Sequence, residues 1–314
     1  MKVIILMLLI IASAGYSYAT LPENYQSFAA ETKREILWHK INNTRYSGEY
    51  PEHTLWSAAR DLVVFRLTSF DFLEKTFTTF SDELPYHLTK NGEKKYRPKV
   101  IHARGAVALV RFVPDTDTVY TGIFNQESLG LARISLADPI NFNPGMGLKF
   151  FVDGAPSVNV AVMKSLTTNV KSCDPFFHNF SNVIPDTGLF LGIAAFAFEE
   201  VAKSQDPDGK ATTLSVKHFG RVNTRGPSKS PYQIVLKPSE YSKSIKFSCY
   251  NDFRITLESM RAGNVLYEIY AKELPESQRL IKIGELQLDT PFVASKYGDE
   301  VLFFQHHIEP FYSH

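Results

Sequence analysis

A histidine is the natural starting point for chemistry in this chain. His102 lies early in the run Arg97 to Phe112, "RPKVIHARGAVALVRF", whose dense apolar patterning marks a strand. An imidazole titrates near neutrality, so it can take a proton and return it. A strand histidine is more often an ordinary packed residue. Exclusions narrow the chemistry further. There is no Gly-x-Ser-x-Gly nucleophile elbow and no His-Glu-x-x-His pair, so a hydrolase has little behind it. The two cysteines, Cys173 and Cys249, stand in no CxxC or Cys/His metal pattern. The stretch Gln205 to Lys210, "QDPDGK", hints at a calcium loop but lacks the remaining ligand spacing and reads as a turn.

The elements that must position His102 change character along the chain. Residues from about 20 to 95 read as helical. Tyr25 to Ile41 and His53 to Phe80 carry apolar residues near helical spacing, and Gly48 and Pro51 break them. A polar connector, "TKNGEKKYRP", follows. From Val100 the pattern is a succession of short strands: "VIHARGAVALVRFV", "TVYTGIF", "LGLARISLA", "GLKFFVDG" and "NVAVMKSL". Asp153-Gly154 marks a hairpin. Gly188 to Lys203, "GLFLGIAAFAFEEVAK", is apolar on nearly every side and predicts a buried helix. Strands resume with "TTLSVKHF", "PYQIVLKP", "SIKFSCY", "FRITLES", "VLYEIYAKE", "IKIGELQLD" and "EVLFFQHH". The expected fold is α+β: one domain over residues 20–314, with a helical part to about residue 95, an antiparallel β-barrel over about 96–314, and one inserted buried helix.

The chain has 314 residues and a formal net charge of +1, with no basic block, which argues against nucleic acid as a partner. Its first residues, "MKVIILMLLIIASAGYSYA", pair Lys2 with an apolar core and end in Ser17-Tyr18-Ala19. That is the pattern of a secretory signal peptide over residues 1–19, with an apolar run too short to span a bilayer. The mature chain is therefore expected to be secreted or periplasmic, with no transmembrane segment. In an oxidising compartment Cys173 and Cys249 could pair, or remain two buried thiols. Asn42-Asn43-Thr44 and Asn179-Phe180-Ser181 fit the N-glycosylation pattern of a eukaryotic host.

An ordered set of segments gives these residues company. Val100-Ile101-His102-Ala103-Arg104-Gly105-Ala106 resembles the Val-Val-His-Ala-Lys-Gly-Ala segment of haem catalases, which carries their distal histidine. Leu131-Ala132-Arg133-Ile134-Ser135 resembles their Val-Arg-Phe-Ser segment, and Pro144 to Phe150 their Arg-Gly-Phe-Ala-Val-Lys-Phe segment. Asn159 falls near the family's distal asparagine. Ile283 to Leu288 resembles Val-Gly-Lys-Leu-Val-Leu, and the stretch Ala294 to His307 looks like the ending of a divergent catalase-like group. The resemblance implies a catalase-type barrel with His102 as acid/base group, Asn159 orienting a peroxide and Ser135 fixing the imidazole. It further implies that Arg133 and Lys99 face haem propionates. The family's proximal Arg-x-x-x-Tyr motif is absent from this sequence; Tyr312, His306 or His307 would have to stand in for its tyrosine. The implied function is a haem-dependent peroxidase or lipid-peroxide-converting oxidoreductase with little true catalase activity. The alternative is a non-enzymatic protein whose barrel binds an apolar ligand or a protein partner.

Overall fold

The computed structural model describes residues 21–51, 81–96, 99, 102–115, 119–120, 122–136, 144–164, 174–176, 180–182, 233–248, 250–272 and 278–304. A fourteen-residue helix, α1 (Ala30–Asn43), comes first. Leu37 and Ile41, one turn apart, are fully buried on its inner side. A two-stranded hairpin follows, β1 (Tyr86–Leu88) with β2 (Lys94–Tyr96). The main sheet runs through β3 (Arg104–Pro114), β4 (Ser128–Leu136), β5 (Pro144–Val152), β6 (Ala155–Lys164), β7 (Phe180–Asn182) and β8 (Gln233–Pro238) to β9 (Val265–Lys272) and β10 (Leu280–Leu288). Short helices α2 (Glu240–Ser244) and α3 (Phe253–Glu258) lie between β8 and β9, and α4 (Lys296–Glu300) follows β10.

Every pairing in this sheet is antiparallel, and the sheet curls until β10 meets β3. The long strands read as near-continuous apolar runs because both faces are buried. Inside the curl lie Ala106, Ala108, Val110, Phe112, Ala132, Ile134, Met146, Leu148 and Phe150. The alternate residues Val107, Leu109 and Leu131 face outwards, with Phe151, into a second apolar layer shared with Leu37 and Ile41 of α1 and Tyr297 of α4. That second layer separates the barrel wall from its helical cover and holds the residues of interest.

The β5–β6 hairpin and α1 are clipped together. Asp153-Gly154 forms the expected turn, with Gly154 at φ 62°. The Asp153 carboxylate accepts from the Ala30 amide at 2.7 Å, satisfying a free donor at the start of α1. Lys33 is fully buried and donates to the Val152 and Ala155 carbonyls at 2.7 and 2.5 Å. Burial holds its pKa below the ordinary lysine value.

Several expectations are corrected. The polar connector after residue 88 closes the β1–β2 hairpin, so the region before residue 96 is not purely helical. "TVYTGIF" ends in a 3-10 turn, Gly122–Phe124. "FRITLES" is helix α3: the Asp252 side chain accepts from the Arg254 amide, and Phe253 and Leu257 are buried one turn apart. "SIKFSCY" follows α2 without strand pairing over 245–248. Near "EVLFFQHH" the ladder is reduced to a single bridge, Glu83 to Leu302. The signal segment 1–19, the stretch His53 to Phe80, the strand "TTLSVKHF", the helix Gly188 to Lys203, the turn Gln205 to Lys210, Asn179, Cys173 and Cys249 lie outside the described residues. Among the described residues no helix is long and apolar enough to cross a membrane.

Candidate functional site

The site is built on the outer face of β3, β4 and β5, where register sets out three rows. Gly105, Ser135 and Gly145 lie side by side; next come Val107, Arg133 and Gly147; then Leu109, Leu131 and Lys149, with Asn159 of β6 beyond. Three glycines thus leave a shallow floor, and each is covered by a flat group. A Cβ on Gly105 would stand 2.7 Å from Cζ of Arg133. One on Gly145 would stand 2.8 Å from Cε1 of His102, and one on Gly147 2.7 Å from Cγ of Phe304. Real Cβ atoms do not approach so closely, so all three positions require glycine as packed here.

His102 enters this floor from the turn ahead of β3 with φ 58°, a left-handed conformation that a histidine adopts at a cost of roughly 1–2 kcal/mol. Arg133 holds that turn in place. Its guanidinium donates to the His102 carbonyl at 3.0 Å and to the Ala103 carbonyl at 3.1 Å, and pairs with Asp299 at 2.8 Å. Asp299 also accepts from the Gly105 amide at 2.9 Å, from Tyr46 at 3.2 Å and from Arg254 at 3.4 Å. Arg254 is itself fully buried and forks onto Asp252, at 2.9 Å through Nε and 2.7 Å through Nη2.

The imidazole itself is left without partners. Nδ1 and Nε2 are both buried and neither makes a well-formed hydrogen bond, the Ser135 backbone offering the ring only a marginal contact. Burial first, and the Arg133 charge second, push its pKa down to about 4, with the Ser135 backbone acting weakly in the other direction. His102 is therefore neutral at physiological pH, with one ring nitrogen free to accept and the other to donate. Arg133 Nε is likewise buried and unpartnered. The Ser135 hydroxyl donates to the Gly145 carbonyl at 3.4 Å, not to the ring.

Asn159 belongs to a different cluster. Lys149 is fully buried and donates to Asp82 at 2.5 Å, Asn159 Oδ1 at 2.7 Å and Ser157 at 3.4 Å. Ser157 also donates a short hydrogen bond to Asp82. Burial lowers the Lys149 pKa while Asp82 raises it. Lys149, which pairs with Asn159, is four residues along β5 from Gly145, about 14 Å at roughly 3.4 Å per residue. The four residues expected to converge thus share one face of the barrel. His102, Arg133 and Ser135 come together, and Asn159 sits two rows away.

Haem can be tested against these side chains. The two cations that the resemblance assigns to propionates are already engaged: Arg133 as described, and Lys99 with the Gly298 carbonyl at 2.7 Å. The described residues do not fit a haem held by that pair. Tyr312, His306 and His307 lie outside the described residues. Among the described residues no group of three or more His, Cys, Asp or Glu is placed to hold a metal ion.

Sequence reasoning missed Asp299, Lys149, Asp82 and Phe304. Lys149 carried a signal: a lysine within the apolar run "GLKFF" has no solvent to face if both sides of its strand are covered. No protein-family model matches the chain, and no curated protein matches it.

Proposed function

We propose that this chain is an exported protein of catalase-like build that holds a small ligand, an apolar molecule or a peroxide, against His102 on the outer wall of its barrel, and that it lacks vigorous catalase activity. One observation carries the reading: a buried, neutral imidazole with both nitrogens unpartnered, fixed in a left-handed turn by Arg133. Buried polar atoms are nearly always satisfied, and exceptions concentrate where a ligand or a reaction supplies the partner. A neutral imidazole can accept the proton of a hydroperoxide and return it to a leaving oxygen. The engagement of Arg133 and Lys99 favours the binding reading over a haem-dependent peroxidase.

The test is colour and turnover. The purified full chain, supplemented with haem, is examined for a haem absorption band and for oxygen release from hydrogen peroxide, beside His102→Ala. The binding reading expects no haem band in either protein. Slow, His102-dependent peroxidation by a haem-loaded chain would establish the peroxidase reading in its place. Rapid oxygen evolution that depends on His102 would overturn the proposal altogether.

A further inference from the structure

The outermost of the three covered glycines is not capped by its own neighbourhood. Phe304 comes from a segment far along the chain, and that segment is held by backbone hydrogen bonds to the stretch 82–84. Leu84 donates to the Val301 carbonyl at 2.8 Å and Phe303 to the Asp82 carbonyl at 2.9 Å. The next side chain, Phe304, drops its ring onto Gly147, with Cγ, Cδ1 and Cδ2 at 2.7, 2.8 and 3.1 Å from where a Cβ would stand. Gly147 is two residues from Gly145, where the His102 ring rests, a step of about 7 Å along the strand. On the other side the Lys149 ammonium lies 5.2 Å from the Phe304 ring centroid. The slot over Gly147 is thus shaped for one flat six-membered ring. A neutral, unpartnered imidazole stands on one side and an ammonium already bonded to Asp82 and Asn159 on the other. Phe304 is only partly buried, unlike Phe292 and Phe150 of the core, so its ring can leave without opening the barrel.

We infer that the Gly147 slot is a binding site for a phenol-type aromatic, with Phe304 as its built-in occupant: the ligand ring replaces the Phe304 ring and its hydroxyl donates to the free nitrogen of His102. A plain hydrocarbon ring would fill the same volume but leave the imidazole unpartnered, so the hydroxyl decides selectivity. The inference rests on reading the His102 face as a ligand surface and adds the ligand class and its competitor.

Phenol and toluene serve as probes in calorimetric titrations of the full chain, of Phe304→Ala and of the Phe304→Ala, His102→Phe double variant. Phenol should bind the unaltered chain weakly and Phe304→Ala at least tenfold more tightly. Phe304→Ala should prefer phenol over toluene by tenfold or more, and the double variant should lose that preference. Phe304→Leu, which keeps an apolar side chain without the flat ring, should show a smaller gain in the same direction and serves if the alanine variant does not fold. Equal binding of phenol and toluene by Phe304→Ala would reveal a mere cavity and overturn the inference, as would phenol affinity that ignores Phe304. Haem uptake with His102-dependent peroxidation, alongside absent phenol selectivity, would sink this slot and the ligand-holding reading in favour of the peroxidase. Phenol selectivity without haem uptake supports both proposals.

Discussion

His102 converts its surroundings into a dependence on acid. Its pKa in the folded chain is about 4, against an ordinary value of 6.5. Between those values the unfolded chain binds the proton more readily than the folded one, so stability rises with pH across that window and is lost as pH falls through it. A gap of this size corresponds to about 3 kcal/mol. Urea unfolding at pH 7, 5.5 and 4.5 should show this loss in the unaltered chain and a clearly smaller one in His102→Phe. The comparison subtracts the other titrating groups, and Arg133, the charge facing the ring, keeps its state throughout. Identical pH slopes in the two proteins would mean that the imidazole is not held neutral by burial. At this scale the histidine was legible in sequence and its circumstances were not. Arg133 is 31 positions from His102, and its bonds to the histidine turn go to carbonyls, which carry no sequence signal. Ser135 and Asn159 follow the strand pattern, yet register alone decides that only Ser135 shares the imidazole's row.

Among the elements, α4 has an influence out of proportion to its five residues. Ser295 caps it by accepting from the Gly298 amide at 3.0 Å, which sets Asp299 over the start of β3. There the carboxylate faces two buried guanidinium groups, Arg133 and Arg254. Removing it leaves the buried Arg133 without its carboxylate and Arg254 with Asp252 alone, a change expected to destabilise by about 3–5 kcal/mol. Thermal and urea unfolding of Asp299→Ala should show a loss of that order, and Asp299→Asn a smaller one. A loss below about 1 kcal/mol for alanine, the range of exposed pairs, would show that the cluster does not act as a unit. The long strands β3 to β6 and the Asp153-Gly154 turn were readable because apolar runs and a turn dipeptide act locally. Helix α3 was not. Its six residues mix β-branched and apolar types, and the decisive cue was the capping Asp252 ahead of them. Short segments of this kind take their form from the surface they pack on.

For the whole molecule, the sheet closes unevenly. β3 and β4 match over nine residue pairs, from Arg104 with Leu136 to Phe112 with Ser128. Among the described residues β7 meets β8 through two, Phe180 with Leu236 and Ser181 with Val235. Local opening follows the sparsest bonding, so amide hydrogen exchange should be slowest in β3, β4 and β5 and faster by orders of magnitude in β7 and the facing edge of β8. Equal protection around the ring would contradict a seam there. The antiparallel barrel was expected from the density of short strands, but the register that closes it was not, because closure depends on pairings such as Gly284 with Pro114 that no local pattern announces.

The bond from the Gly105 amide to Asp299 spans 194 positions of chain. At a synthesis rate of roughly 5–20 residues per second, about 10 to 40 seconds separate the emergence of the two groups from the ribosome. Throughout that interval the start of β3 has its histidine turn but not the carboxylate that steadies Arg133, and Gly147 has no ring to cover it. The corner of the molecule that carries its chemistry therefore cannot be assembled in a newly made copy until α4 has emerged. A nascent chain paused in that interval would present a bare glycine floor to whatever surrounds it.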